Sequence, residues 1–124
     1  MAKNPRKHYI RAVYDFTVDG GVVGAVTLAD TAKLPDNAIV NEVCISVGTA
    51  YTSGGGSSVQ VTGGGVNLTA AIPKADLTAN TVVAADIVDA GGKATSAANI
   101  GVTIATTAGT AGDMEIIVGY YLGS

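Results

Sequence analysis

Apolar residues in this chain recur at every second position, and glycine repeatedly breaks the runs; no other feature of the sequence restricts its fold as tightly. Val43, Ile45, Val47, Thr49 and Tyr51 fall on one side of a run over residues 39–52, with Glu42, Cys44, Ser46, Gly48 and Ala50 on the other. Near the C-terminus Met114, Ile116, Val118, Tyr120 and Leu122 alternate with Glu115, Ile117, Gly119 and Tyr121. A period of two matches the alternating faces of a half-buried strand, not the stripe of a helix. Ile10, Ala12, Tyr14 and Phe16 form a third such face, and Ile100, Val102 and Ile104 a fourth. Asp19-Gly20-Gly21 predicts a hairpin over residues 9–28. Leu34-Pro35-Asp36-Asn37 predicts a second turn and Ala108-Gly109-Thr110-Ala111-Gly112 another. Between residues 70 and 81 the pattern weakens, as in an irregular connection or a single helical turn. About seven or eight short strands with Gly-rich connections and no dividing linker give an all-β fold, a single antiparallel β-sandwich or jelly-roll-like domain over residues 9–124.

Such a core is built from small parts. The chain has 124 residues and is 48% hydrophobic, yet it holds one Phe and no Trp, and Ala and Val dominate. Little burial per residue points to further burial between subunits, and the small-residue face of Cys44, Ser46, Gly48 and Ala50, which lets another sheet or another subunit approach closely, is the candidate subunit interface. Cys44 is the single cysteine, so no intrachain disulfide forms and the thiol reads as packed and inert. Charged residues make up 14% of the chain against about 25% in an ordinary domain, with Ser, Thr and Gly supplying the polar surface. That balance is common in extracellular and virion-surface β-proteins and unusual in enzymes.

Little in the chain reads as catalytic. His8 is the only histidine, set in a basic segment without a neighbouring acid, and reads as a solvated tail residue. Asp86 with Asp89 and Asp113 with Glu115 are close in sequence, but both pairs border predicted turns where carboxylates ordinarily meet solvent. The glycine runs at residues 54–56 and 63–65 lack the Gly-Lys-Ser/Thr of a phosphate loop. Asn67-Leu68-Thr69 matches a glycosylation acceptor only formally. The expectation is therefore no catalytic residue, no cofactor and no metal. Nucleic acid is not an expected partner of an acidic chain with a net charge of −3. Nor is a membrane, since no apolar run approaches the roughly 18 residues that a span requires. The first residues lack the apolar stretch of a secretory signal, so the chain is expected to stay in the cytoplasm where it is made.

Charge is unevenly distributed. Lys3, Arg6, Lys7 and Arg11 precede the first acid, Asp15, and the rest of the chain sets three bases against ten acids, a net of −7. Residues 1–8 read as a basic arm, with Lys3, Arg6 and Lys7 as candidate contacts to an acidic partner.

The segments RAVYDFTVDGGVVGAVTL, LPDNAIVNEVCISVGTAYTSGG and GDMEIIVGYYL resemble small head proteins of tailed bacteriophages, among them the capsid decoration or cement proteins. The likeness lies in strand-and-turn texture across most of the chain; residues 70–98 depart from it. The resemblance implies a jelly-roll-like domain, usually trimeric, on the outside of a virion and bridging neighbouring major capsid proteins. A rival reading is a carbohydrate- or receptor-binding module of a phage head or tail fibre, for which Tyr51, Tyr120 and Tyr121 would have to form an exposed platform.

Overall fold

The computed structural model describes residues 7–28, 33–63, 66–85, 87 and 93–122. The elements run β1 (Lys7–Asp15), α1 (Phe16–Asp19), β2 (Gly24–Thr27), β3 (Lys33–Leu34), β4 (Ala38–Ser53), β5 (Ser58–Gly63), β6 (Val66–Asn67) and β7 (Ile72–Pro73). A 3-10 turn (Lys74–Asp76) leads to β8 (Thr81–Ala85), β9 (Ala98–Asn99), β10 (Gly101–Ala105) and β11 (Gly109–Leu122). One sheet has the order β1-β11-β4-β8; the other is β2-β10-β5-β6, with β7 also on β5. The short β3 and β9 pair with each other. All these pairings are antiparallel, and the chain changes sheet at nearly every connection. A four-stranded and a five-stranded sheet threaded in this order form a jelly roll, the all-β sandwich that the alternation implies.

The alternating residues meet between the sheets. Ile10, Ala12 and Tyr14 of β1, Val43, Ile45 and Val47 of β4, and Met114, Ile116 and Val118 of β11 are all buried. They face Leu28, Val59, Val61, Ile72, Val102 and Ile104 on the other side. The turn at residues 34–37 forms as its composition predicts: Asn37 takes φ 64, and the Ala38 N–H donates to the Pro35 carbonyl at 3.2 Å.

Four details depart from the sequence pattern. Residues 9–28 are not a hairpin, because β1 and β2 lie in different sheets, joined by the single-turn α1. Alternation sets which side of a strand is apolar but not which strand it pairs with. Thr49 is exposed, because β4 advances from Val47 to Thr49 while β11 advances from Met114 to Asp113, leaving Gly48 as the extra residue of a bulge. Residues 109–112 belong to β11 instead of a turn; the strand bulges there, with Gly112 at φ 144. Finally, β1 begins at Lys7, not after residue 8. His8 is no tail residue: it pairs with Tyr120 in the ladder and stacks on its ring, with centroids 5.3 Å apart.

A polar knot joins the sheets at one end. Tyr51 is buried, and its hydroxyl lies 2.9 Å from Ser57 Oγ, which donates to the Thr107 carbonyl at 2.8 Å. Its ring rests on Gly109, where a Cβ would stand 2.7 Å from Tyr51 Cε1. Gly109→Ala should therefore displace Tyr51 and destabilise the domain by about 1–3 kcal/mol, read as a lower urea midpoint at unchanged slope.

Candidate assembly surfaces

The outer side of the β1-β11-β4-β8 sheet is built from the alternate residues of its strands. The register sets Arg11, Ile117, Cys44 and Ala84 in one row and Val13, Glu115, Ser46 and Val82 in the next. Val13 and Val82 are 42% and 68% exposed, so a small apolar patch faces outward. Of the candidate interface residues, Cys44 is half-buried in this patch and Ser46 is exposed in it. Gly48 is exposed but not vacant, since the Asp113 carboxylate lies against it and accepts from the Thr49 N–H at 2.9 Å. Ala50 follows the bulge and is half-buried. The structure thus brings Cys44 and Ser46 together with Val13, Ile117, Val82 and Ala84, and takes Gly48 and Ala50 out of the patch.

Ion pairs border it. Arg11 meets Glu115 through both nitrogens of a fork, Nε to Oε1 at 2.8 Å and a terminal nitrogen to Oε2 at 2.9 Å. The hydrogen bond from Arg11 holds the Glu115 carboxyl below its ordinary range. A shallow depression of about 250 Å³ lies beside this pair, with Asp15 and Asp113 in its wall. Its carboxylates have local partners: Asp113 takes Thr49, Asp15 takes Thr17, and Glu115 takes Arg11.

The end of the sandwich where β1 begins is charged. Lys7 Nζ lies 2.7 Å from Glu42 Oε1 across Gly119, and 5.3 Å from the Tyr9 ring centroid. Of the three candidate arm residues, Lys7 is thereby fixed within the sheet, and Lys3 and Arg6 lie outside the described residues. Asp86 and Asp89 lie outside them too. Lys33, Asp36 and Lys93 are exposed at the same end. Two of the three platform candidates are buried, Tyr51 at 2% and Tyr120 at 9% exposure; Tyr121 is half-buried, and Tyr9, outside that set, is 60% exposed.

The opposite end has another character, and the sequence pattern concealed it. Between β1 and β2, Val18, Val22 and Val23 are 75%, 76% and 49% exposed, although Val22 reads in sequence as part of a strand face. The segment carrying them is tied down at several points. Asp15 Oδ1 accepts from the Thr17 N–H at 3.0 Å, and the Asp15 N–H donates to Asp19 Oδ2 at 2.9 Å. The Gly20 N–H donates to the Phe16 carbonyl at 2.9 Å, and the Gly109 N–H donates to the Gly21 carbonyl at 2.8 Å. Beneath it the buried Tyr14 donates its hydroxyl to the Gly20 carbonyl at 2.6 Å.

No protein-family model matches this sequence, and no curated protein does. Solved structures do. The chain superposes with TM-score 0.63 on a chain of the "Cyanophage Pam1 capsid asymmetric unit", 18% identical, covering 99% of this chain and 89% of that one. It matches a chain of the "Capsid of Ralstonia phage GP4" with TM-score 0.63 at 22% identity, over 100% and 88% of the two chains. A third match, TM-score 0.59 at 18% identity over 95% and 89%, is to the "Acidic stable capsid structure of Helicobacter pylori bacteriophage KHP30". The fold is one found in phage capsids. At these identities the likeness is one of architecture, and it spans essentially the whole chain on both sides.

Burial raises the Tyr14 phenol from its ordinary 10.0 to about 12, with the nearby Tyr51, Asp19 and Asp15 adding to the shift. A group whose folded pKa lies above its unfolded one stabilises the fold fully below the unfolded value and loses that contribution as pH climbs toward the folded one. Urea midpoints should therefore fall as pH rises from about 10 to 12. Tyr14→Phe should be weaker at neutral pH by about 1 kcal/mol, for the lost hydrogen bond, and show a flatter alkaline decline.

Proposed function

We propose that this chain is a non-enzymatic structural protein of a tailed-phage virion. It is made in the host cytoplasm and decorates the outside of the capsid, which it stabilises by bridging major capsid proteins. The observation that carries the reading is the match to three capsid structures over nearly the full length of both partners. The burial of Tyr51 and Tyr120 counts against the glycan-binding alternative, which needs them exposed. In this reading the domain is a homotrimer, joined through the outward patch of Val13, Cys44, Ser46, Val82 and Ala84. Burying that patch supplies the apolar area that a core of small residues lacks.

The basic segment contributes one contact to the shell. With Lys7 fixed to Glu42, the segment is residues 1–6, carrying Lys3 and Arg6. Six extended residues reach about 20 Å, enough to cross onto a neighbouring subunit. Attraction between exposed charges fades over about 8 Å at physiological salt, so the segment acts only where it lies close to acidic groups.

Particles lacking this protein should assemble, yet release DNA at a lower temperature than complete ones, because a ligand of the assembled state stabilises it by mass action. Equal release temperatures would refute the decoration role. Sedimentation should give a trimer at micromolar concentration, and Val82→Glu, at an exposed position, should give a folded monomer. Deleting residues 2–6 should leave folding and self-association intact while weakening shell binding and reducing its salt dependence.

A further inference from the structure

We infer that the valine tip formed by Val18, Val22 and Val23 is a second, apolar contact with the capsid shell, seated in an uncharged hollow of a capsid protein. This inference rests on the decoration role and adds to it the site that makes bridging possible, since a bridge needs two separated contacts. Lys7 and Asp15 stand at the two ends of β1, about 26 Å apart at the rise of a strand. The basic segment leaves from the first end and the valine tip follows the second.

Three exposed valines on one short segment are more than the isolated apolar residue that any surface tolerates. The segment is also held in shape before any partner arrives. Both carboxylates within it, Asp15 and Asp19, accept from backbone N–H groups; the Gly20 and Gly21 carbonyls are taken by Tyr14 and Gly109. Gly21 packs so closely on Gly109 that a Cβ there would collide with its backbone. A pre-shaped apolar tip loses little conformational entropy when it docks. Its surroundings select the partner's chemistry. The adjoining residues 54–57 and 106–108 carry no charged side chain, and the charged groups nearby are taken up locally: Asp15 and Asp19 accept from backbone N–H groups, and Lys74 Nζ donates to the Ser53 carbonyl at 3.2 Å. Such a tip complements an uncharged apolar hollow in a protein. A bilayer surface would instead be met by basic and aromatic residues around the tip.

The test uses the full chain, shells assembled from the major capsid protein of the same virion, and a triple variant, Val18→Thr, Val22→Thr and Val23→Thr. The substitutions keep side-chain shape at exposed positions, and circular dichroism and sedimentation verify fold and assembly; the single Val22→Thr serves should the triple variant misfold. The triple variant should bind shells about tenfold or more weakly, with its remaining binding more sensitive to salt, because what is left is the ionic contact. Leu122→Thr, at the far end, should bind as the unaltered protein does. Equal binding by the unaltered protein and the variant overturns the tip while leaving the decoration role standing. No shell binding by the unaltered protein overturns that role and the tip with it. Binding to vesicles of phosphatidylcholine and phosphatidylglycerol that the variant loses would assign the tip to a membrane and overturn the inference.

Discussion

The pairing of β11 with β4 is the constraint on which the remainder of the domain rests. Twelve residue pairs run from Gly109↔Ser53 to Leu122↔Ala38, and β1 and β8 are added on either side. Because β1 continues the same ladder without a register shift, the inward positions of three strands line up and Ile10, Ile45, Ile116 and their neighbours pack as one layer. The irregularities of the ladder are as consequential as its regular part. At the Gly48 bulge β4 gives up one residue of alternation and turns Thr49 outward to Asp113; a second irregularity between Thr49 and Thr52 gives up another, which brings Tyr51 back to the inner side. That buried ring then carries the bonds to Ser57 and onward to Thr107 that fasten the second sheet to the first.

Much of this was legible in the sequence, and what was not has a definite physical reason. Period two identified the buried sides of β1, β4, β10 and β11 because a pleated strand must point alternate residues the same way. It was silent on partners. The apolar runs around Tyr14 and Val26 look like the arms of a hairpin, yet each pairs across tens of residues, with β11 and β10. Bulges shift the phase of alternation by one residue, so Thr49 and Gly112 were misplaced. Exposed valines defeated the pattern for another reason: Val22 alternates with Gly24, Val26 and Leu28 and reads as core, but β2 begins only at Gly24 and leaves Val22 outside the sheet. Of the candidate interface, Cys44 and Ser46 lie on the outer side of the sheet. Gly48 was read as open because nothing in the sequence shows that the Asp113 carboxylate fills the space its missing side chain leaves.

Glycine has two opposite uses on this surface. At Gly48 and Gly119 the vacant Cβ position admits a neighbouring side chain, the Asp113 carboxylate in one case and the Lys7–Glu42 pair in the other. At Gly21 and Gly109 it lets two backbones and an aromatic ring come together. Counting glycines as turn formers therefore misses those that serve packing within or beside strands.

The place of β11 carries a consequence for how the molecule is made. It is the last described strand in the chain, yet it sits between β1 and β4, two of the earliest. On a ribosome, β1 and β4 emerge with the edges that β11 will occupy still bare, and neither can be completed by local pairing. The first sheet must wait for the final residues of the ladder before it closes. Nearly all its native contacts then form between segments far apart in the chain, the regime in which folding is slow and open edges invite pairing with other nascent chains.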